Sequence, residues 1–235
     1  MKKPPQTDEW DISFYFKPMS GVSGDMYDFY FDHENNLIGL SMMDVSGHGI
    51  ASGLITMIAK SISTRIFSTK YTCKLGTILE TINNELITEL GNIDNYLTGI
   101  VLKFRDDVIE YANAGHTELL IKRADLNKTS IIKPSDNSEY KGMFLGLEAM
   151  KSKFDSLSFK AMKDDVLLIY SDCLNESANA NGEEYGLERI IESLDSSPKG
   201  ESKEILSYVI NKMINFIGKD SFDDDLTVIC LKRKK

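Results

Sequence analysis

Asp25-Met-Tyr-Asp-Phe-Tyr-Phe31, Asp32-His-Glu-Asn-Asn36, Leu37-Ile-Gly-Leu-Ser-Met-Met-Asp44 and Val45-Ser-Gly-His-Gly49 follow one another, and this stretch decides the fold. Two apolar runs flank a polar, turn-rich centre, which is the pattern of a β-hairpin. With the turn centred between Glu34 and Asn35, cross-strand partners have residue numbers summing to about 69. Asp25 and Asp44 meet that condition, so the hairpin sets two carboxylates side by side at its open end. Directly opposed like charges are unfavourable in a sheet. Either one carboxylate is solvated or a cation sits between them. The glycines after Asp44 leave room for an approach to the backbone. The hairpin therefore predicts a metal site whose remaining ligands lie elsewhere in the chain.

The 235 residues suffice for one well-buried domain. A hydrophobic content of 42% and a charged content of 27% are ordinary for a globular protein. The net charge of −9 argues against a nucleic-acid or anionic-membrane surface, both of which require basic patches. It also means that a phosphorylated substrate is repelled until cations are bound. Cys73, Cys173 and Cys230 are odd in number and form no CxxC pair, which suits a reducing cytoplasm. No apolar run approaches the ~18 residues of a membrane-spanning helix. Residues 1–9 have no hydrophobic segment and read as a polar lead-in or linker stub, compatible with a preceding sensor domain in a longer parent.

Along the chain, Trp10 to Met19 predicts a first strand and the hairpin follows. After Gly47 the period becomes helical: Ile50, Leu54, Met57, Ile58, Ser61, Ile62, Arg65 and Ile66 form a stripe expected to be core. A second helix is expected over 75–90, ended by Gly91-Asn92. Strands follow at 96–104, 108–112 and 119–122, then a loop with a short strand at Ile131-Ile132. A period-broken strand is expected around Phe154 to Phe159, and a buried strand over Val166 to Tyr170. Helices are predicted over 187–194 and 202–217, and a last strand over 226–231. Residues 10–231 are expected to form a single domain, with 232–235 as a solvated basic tail. Segregation of strands from helices favours α+β with antiparallel sheets over an alternating βαβ fold.

Asp25 precedes a strand, Asp44 follows one, Asp172 follows one and Asp224 precedes one. In antiparallel sheets the start of one strand and the end of its neighbour share an edge, so the four carboxylates can converge. Unpaired, they would repel one another. All-oxygen ligation points to Mg²⁺ or Mn²⁺, with Ca²⁺ disfavoured by the sparse ligand spacing. Two such ions can lower the pKa of a bridging water and hold a phosphoryl oxygen. That chemistry is phosphoester hydrolysis without a protein nucleophile.

Ser23-Gly-Asp-Met-Tyr-Asp-Phe29 resembles the GGDxYDF motif of SpoIIE/RsbU-type phosphatases, the bacterial branch of the metal-dependent, protein phosphatase 2C-like superfamily. Met43-Asp-Val-Ser-Gly-His-Gly49 is similar to its DVSGHG motif and Tyr111-Ala-Asn-Ala-Gly-His116 to its YANAGH motif. Leu168-Ile-Tyr-Ser-Asp172 and Asp224-Asp-Leu-Thr227 resemble its YTDG and DDxT motifs. The resemblance implies an α+β fold, a four-layer α-β-β-α sandwich with two central antiparallel sheets flanked by helices. It implies two Mn²⁺ or Mg²⁺ ions and serine/threonine phosphoprotein phosphatase activity, on a phosphorylated protein of the anti-sigma factor antagonist type in partner switching. Asp25 and Asp44 would be shared metal ligands, the Val45 carbonyl a further one, and Asp172 and Asp224 would complete the second ion. A cytoplasmic location, no nucleic-acid partner, no membrane contact and pairing into a homodimer are the accompanying expectations.

Ser23 and Cys173 stand where the family pattern has glycine. They motivate an alternative of another class, a pseudophosphatase module that holds a phosphorylated partner with impaired turnover. If position 173 requires positive φ, a cysteine there costs roughly 1–2 kcal/mol. His48 is a candidate accessory general acid, against a reading as a helix-start cap. His116 is expected to be structural, Asp28 to face solvent, and Asp223 and Asp225 to be solvated or bonded within their loop. Ser46 lies in no Gly-x-Ser-x-Gly elbow, which disfavours a serine hydrolase.

Overall fold

The structure, a computed structural model, describes residues 3–47, 49–91, 94–148 and 153–235. The chain divides into two compact units: residues 20–116 with 133–160, and residues 1–19 with 117–132 and 161–235.

The first of these units holds an antiparallel sheet in the order β2-β3-β4-β5-β8. Its strands are β2 (Asp25–Phe31), β3 (Leu37–Val45), β4 (Leu97–Arg105), β5 (Val108–Ala114) and β8 (Leu157–Lys160). The hairpin register is the expected one, with Asp25 opposite Asp44 and Met26 opposite Met43. The turn forms because Asp32 Oδ1 accepts the backbone N–H groups of Glu34 and Asn36, at 2.9 and 2.8 Å, and Asn35 takes φ 64°. A register shift at Tyr30/Phe31 pairs Phe31 with Leu37 and leaves the open end unchanged.

Two helices, α1 (Ile50–Lys70) and α2 (Leu75–Leu90), pack against this sheet and each other. Ile62, Ile66 and Phe67 of α1 and Ile78, Leu79, Ile82 and Leu86 of α2 cover Met43, Val45, Val101 and Ala112. The Phe67 ring lies over Gly39, where a Cβ would come within 2.1 Å of it, and stacks on Tyr30 with centroids 4.1 Å apart. Gly91 ends α2 with φ 58°; Asn92 lies outside the described residues.

The buried face of α1 differs from the expected stripe. Ser52, Gly53, Ile55, Ala59, Ile62, Ser63, Ile66 and Phe67 are inside, whereas Ile50, Leu54, Met57 and Ile58 are exposed, Ile50 by 75%. Apolar residues surround the first three turns, so periodicity alone did not separate the faces. Polar contacts to the edge strand select one: Thr56 Oγ1 donates to Gly24 O at 2.9 Å, Lys60 Nζ to Tyr27 O at 2.9 Å, and Thr64 Oγ1 to Asp28 Oδ2 at 2.8 Å. Asp28 therefore holds α1 as well as meeting solvent. By length and composition α1 is also the one helix among the described residues that could cross a membrane, contrary to expectation. Of its most apolar 18 residues, 44% are buried, and they pack in the core.

The other unit holds the antiparallel sheet β1-β10-β9-β6-β7. Its strands are β1 (Trp10–Lys17), β6 (Leu120–Arg123), β7 (Lys128–Ile131), β9 (Val166–Tyr170) and β10 (Leu226–Arg233). Helices α4 (Gly186–Asp195) and α5 (Ser202–Ile217) pack on it, burying Ile190, Leu194, Leu206, Ile210 and Met213 against Leu168, Val228 and Cys230. A capping box of Glu201 and Glu204 starts α5, and Gly218 in the left-handed region ends it. A short helix, α3 (Cys173–Glu176), follows β9 and was not expected.

The proposed solvated tail is corrected at two positions. Lys232 and Arg233 belong to β10, opposite Asp11 and Trp10. Arg233 is buried, with Nη1 2.8 Å from Glu9 Oε2 and its guanidinium over the Trp10 ring. Each unit thus holds one antiparallel sheet with helices packed on it, and the fold class is the expected α+β with antiparallel sheets.

Candidate metal centre

The hairpin half of the site is built by its backbone. Asp25 is only 3% exposed and lies opposite the half-buried Asp44. Its N–H donates to Ser23 Oγ at 3.1 Å, so the serine in place of glycine adds an anchor for this residue. The Val45 N–H donates to Gly24 O at 3.2 Å, and Thr56 Oγ1 donates to the same oxygen. A Cβ at Gly24 would lie 3.1 Å from Val45 O, 3.3 Å from Gly47 O and 3.5 Å from Asp44 Oδ1. Three oxygens therefore converge on space that glycine leaves open. Gly47 and Gly49 turn the chain away with φ 83° and 89°.

The loop after Asp44 is tied down by Asn95 and Tyr96. Ser46 N–H donates to Tyr96 O at 2.9 Å, Asn95 Nδ2 donates to Ser46 O at 2.7 Å, and Tyr96 N–H donates to Ser46 Oγ at 3.0 Å. Ser46 has a structural part here. His48 lies outside the described residues.

The second carboxylate pair lies in the other unit. Asp172 caps α3: its carbonyl accepts the N–H groups of Asn175 and Glu176, both at 2.8 Å. Burial, and then the nearby Asp224 charge, push the Asp172 carboxyl above the usual carboxylate range. Asp224 is exposed, and its Oδ1 accepts the Asp225 N–H at 2.8 Å. Asp223 is exposed and pairs with Lys219, as expected, whereas Asp225 is corrected: it is buried, and its Oδ1 accepts the N–H of Met19, distant in sequence, at 2.7 Å.

Cys173 is the first residue of α3 and is absent from the positive-φ residues, so its position demands no glycine. Its thiol donates to Asp224 O at 3.5 Å and faces Ser177 Oγ at 3.7 Å. Burial pushes this thiol up to about 12, which leaves it protonated at neutral pH. The cysteine ties α3 to the loop carrying Asp224. Sequence reasoning missed Glu176, whose carboxyl is raised by burial and by Asp172, Glu184 and Asp224. Its i+4 spacing from Asp172 was the available signal.

Among the described residues no group of three or more His, Cys, Asp or Glu side chains is arranged to hold a metal ion. The four aspartates are described as two pairs, one in each unit. The donors nonetheless fit a hard cation. Around Gly24 they are a carboxylate and two backbone carbonyls, the oxygen chemistry that Mg²⁺ and Mn²⁺ accept. At Asp172 a cation would offset both causes that disfavour the ionised carboxyl.

This is the fold of the PP2C-type protein phosphatases. The SiaA PP2C domain of Pseudomonas aeruginosa matches with a TM-score of 0.81 at 16% identity, covering 94% of this chain and 85% of that one. The chain belongs to the SpoIIE family: the family model of Stage II sporulation protein E (SpoIIE) matches residues 34–234. It is 30% identical to the phosphoserine phosphatase RsbP of Bacillus subtilis over 181 residues, covering 73% of this chain and 41% of that protein. It is 25% identical to protein IcfG of Synechocystis over 256 residues, covering 97% of this chain and 39% of that protein. The chain therefore spans about two fifths of the length of these relatives. The catalytic domain of the serine/threonine phosphatase PstP, solved with two manganese ions, matches with a TM-score of 0.67 at 13% identity, covering 97% of this chain and 99% of that one. RsbX, solved with magnesium, matches with a TM-score of 0.64 at 15% identity, covering 97% of this chain and 98% of that one.

Proposed function

We propose that this chain is a metal-dependent serine/threonine phosphoprotein phosphatase. The observation that carries the reading is the Asp25–Asp44 pair at the oxygen-lined space over Gly24. Membership of the SpoIIE family and likeness to a phosphoserine phosphatase support it. In this reading Asp25, Asp44 and the Val45 carbonyl would hold divalent cations, two in number, and Asp172 and Asp224 would supply the ligands of the second. When bound, Mn²⁺ or Mg²⁺ supplies a water of lowered pKa and positive charge for the phosphoryl oxygens. The protein's part is to keep these oxygens fixed. Ser23 and Thr56 hold the Gly24–Asp25 backbone, and Cys173 holds the Asp224 loop.

The substrate in this reading is a phosphorylated regulator of the anti-sigma factor antagonist type, met in the cytoplasm. Residues 10–231 act as the phosphatase domain. The net charge of −9 makes phosphoprotein capture depend on bound cations. The pseudophosphatase alternative loses its geometric motive, because neither Ser23 nor Cys173 has positive φ.

The test is hydrolysis of a phosphoserine protein with saturating Mn²⁺. Asp44→Asn should abolish it, and EDTA should do so reversibly. Full activity of Asp44→Asn, or activity indifferent to EDTA, would sink the mechanism. Partner binding without turnover by the wild-type chain would favour the pseudophosphatase.

A further inference from the structure

The Tyr111–His116 segment has no part in the proposed function, yet it is tightly built. Asn113 grips His116 by its backbone: Oδ1 accepts the His116 N–H at 2.7 Å, and Nδ2 donates to His116 O at 3.2 Å. Gly115, with φ 69°, makes the turn between them, and a Cβ there would lie 2.5 Å from the Phe144 ring. The outcome is one fixed imidazole. His116 is 3% exposed, with Nδ1 2.8 Å from Thr98 Oγ1.

Thr98 is not an arbitrary neighbour. In the ladder it lies opposite Asp44, which lies opposite Asp25. Directly opposed residues share a face of the sheet, with Cβ atoms about 4.5–5.5 Å apart. Asp25, Asp44 and Thr98 thus form a row across β2, β3 and β4, and His116 stands at its end.

We propose that Thr98 and His116 are a positioning pair for Asp44. The His116 Nδ1–H donates to Thr98 Oγ1, and the Thr98 hydroxyl proton is directed at the Asp44 carboxylate. Such a donor fixes the rotamer of a carboxylate that must present both oxygens to cations. It also offsets part of the repulsion between Asp25 and Asp44 before a cation arrives. A histidine that only filled buried space would need neither the Asn113 clamp nor a partner in register with a metal ligand. The inference rests on the metal reading of Asp25 and Asp44.

The test is Mn²⁺ binding to the whole chain, followed by calorimetry and by loss of the free-ion electron paramagnetic resonance signal, beside thermal melts without metal. Thr98→Val and His116→Gln should each weaken Mn²⁺ binding by about 10–100-fold. Thr98→Ser should bind as the wild type does, and the double variant should be no weaker than Thr98→Val. Unchanged Mn²⁺ affinity in Thr98→Val, or additive losses in the double variant, would overturn the pair while leaving the metal reading intact. No Mn²⁺ uptake by the wild type would overturn both. If His116→Gln lowers the metal-free Tm, the near-isosteric Thr98→Val and its rescue by serine decide alone.

Discussion

Gly24→Ala is the sharpest probe of the hairpin site. Gly24 is not a positive-φ glycine, so alanine fits its backbone. The change should recover about 0.4–1 kcal/mol through the unfolded chain. Against this, the new methyl would lie 3.1 Å from Val45 O and 3.3 Å from Gly47 O, so those carbonyls must give by a few tenths of an ångström. Crowding of this kind costs about 1–3 kcal/mol. The net destabilisation is roughly 1 kcal/mol, which for a domain of this size lowers Tm by about 2–4 °C. The effect on the site should be far larger, because the methyl occupies the space on which Val45 O, Gly47 O and Asp44 Oδ1 converge. A misplacement approaching 1 Å costs on the order of 100-fold in rate. Phosphoserine-protein hydrolysis at graded Mn²⁺, with a melt of the same sample, separates the two effects. Wild-type kcat/KM and Mn²⁺ dependence in Gly24→Ala would refute the cradle argument.

Two further outcomes follow from contacts elsewhere. Restoring glycine at position 173 should bring no gain in rate, since Cys173 is helical, and should lower stability by roughly 2 kcal/mol through lost packing and helix propensity. A large rise in kcat would show instead that the cysteine impairs the site. Glu110→Ala should destabilise by about 3 kcal/mol in denaturant unfolding, because it strands the buried Lys103. It also removes the acceptor of the Leu75 N–H at the start of α2. A loss below about 1 kcal/mol would mean that Lys103 is held by the Cys73 carbonyl alone.

The local parts of this protein were legible in its sequence. The hairpin register follows from turn position and the two-residue strand period, so Asp25 opposite Asp44 needed no knowledge of the rest. Helix α5 runs from Ser202 to Ile217 as expected, because its apolar stripe lies within it and Gly218 directly follows as the stop signal. Where the decision was made by distant residues, sequence reasoning failed. Both faces of α1 carry apolar residues, and Asp28, Tyr27 and Gly24 of the neighbouring strand chose which one turned inward. Lys232 and Arg233 look like a tail but pair with Asp11 and Trp10, over 200 residues away. Cys173 departs from the family pattern, yet an αR conformation set by the β9–α3 turn makes glycine unnecessary. His116 meets Thr98 because β4 and β5 are neighbours, and Thr98 meets Asp44 because β3 and β4 are. The sequence by itself determined the hairpin, its two aspartates and the family. Tertiary structure alone decided what steadies them, because those contacts join strands and helices whose proximity no local period encodes.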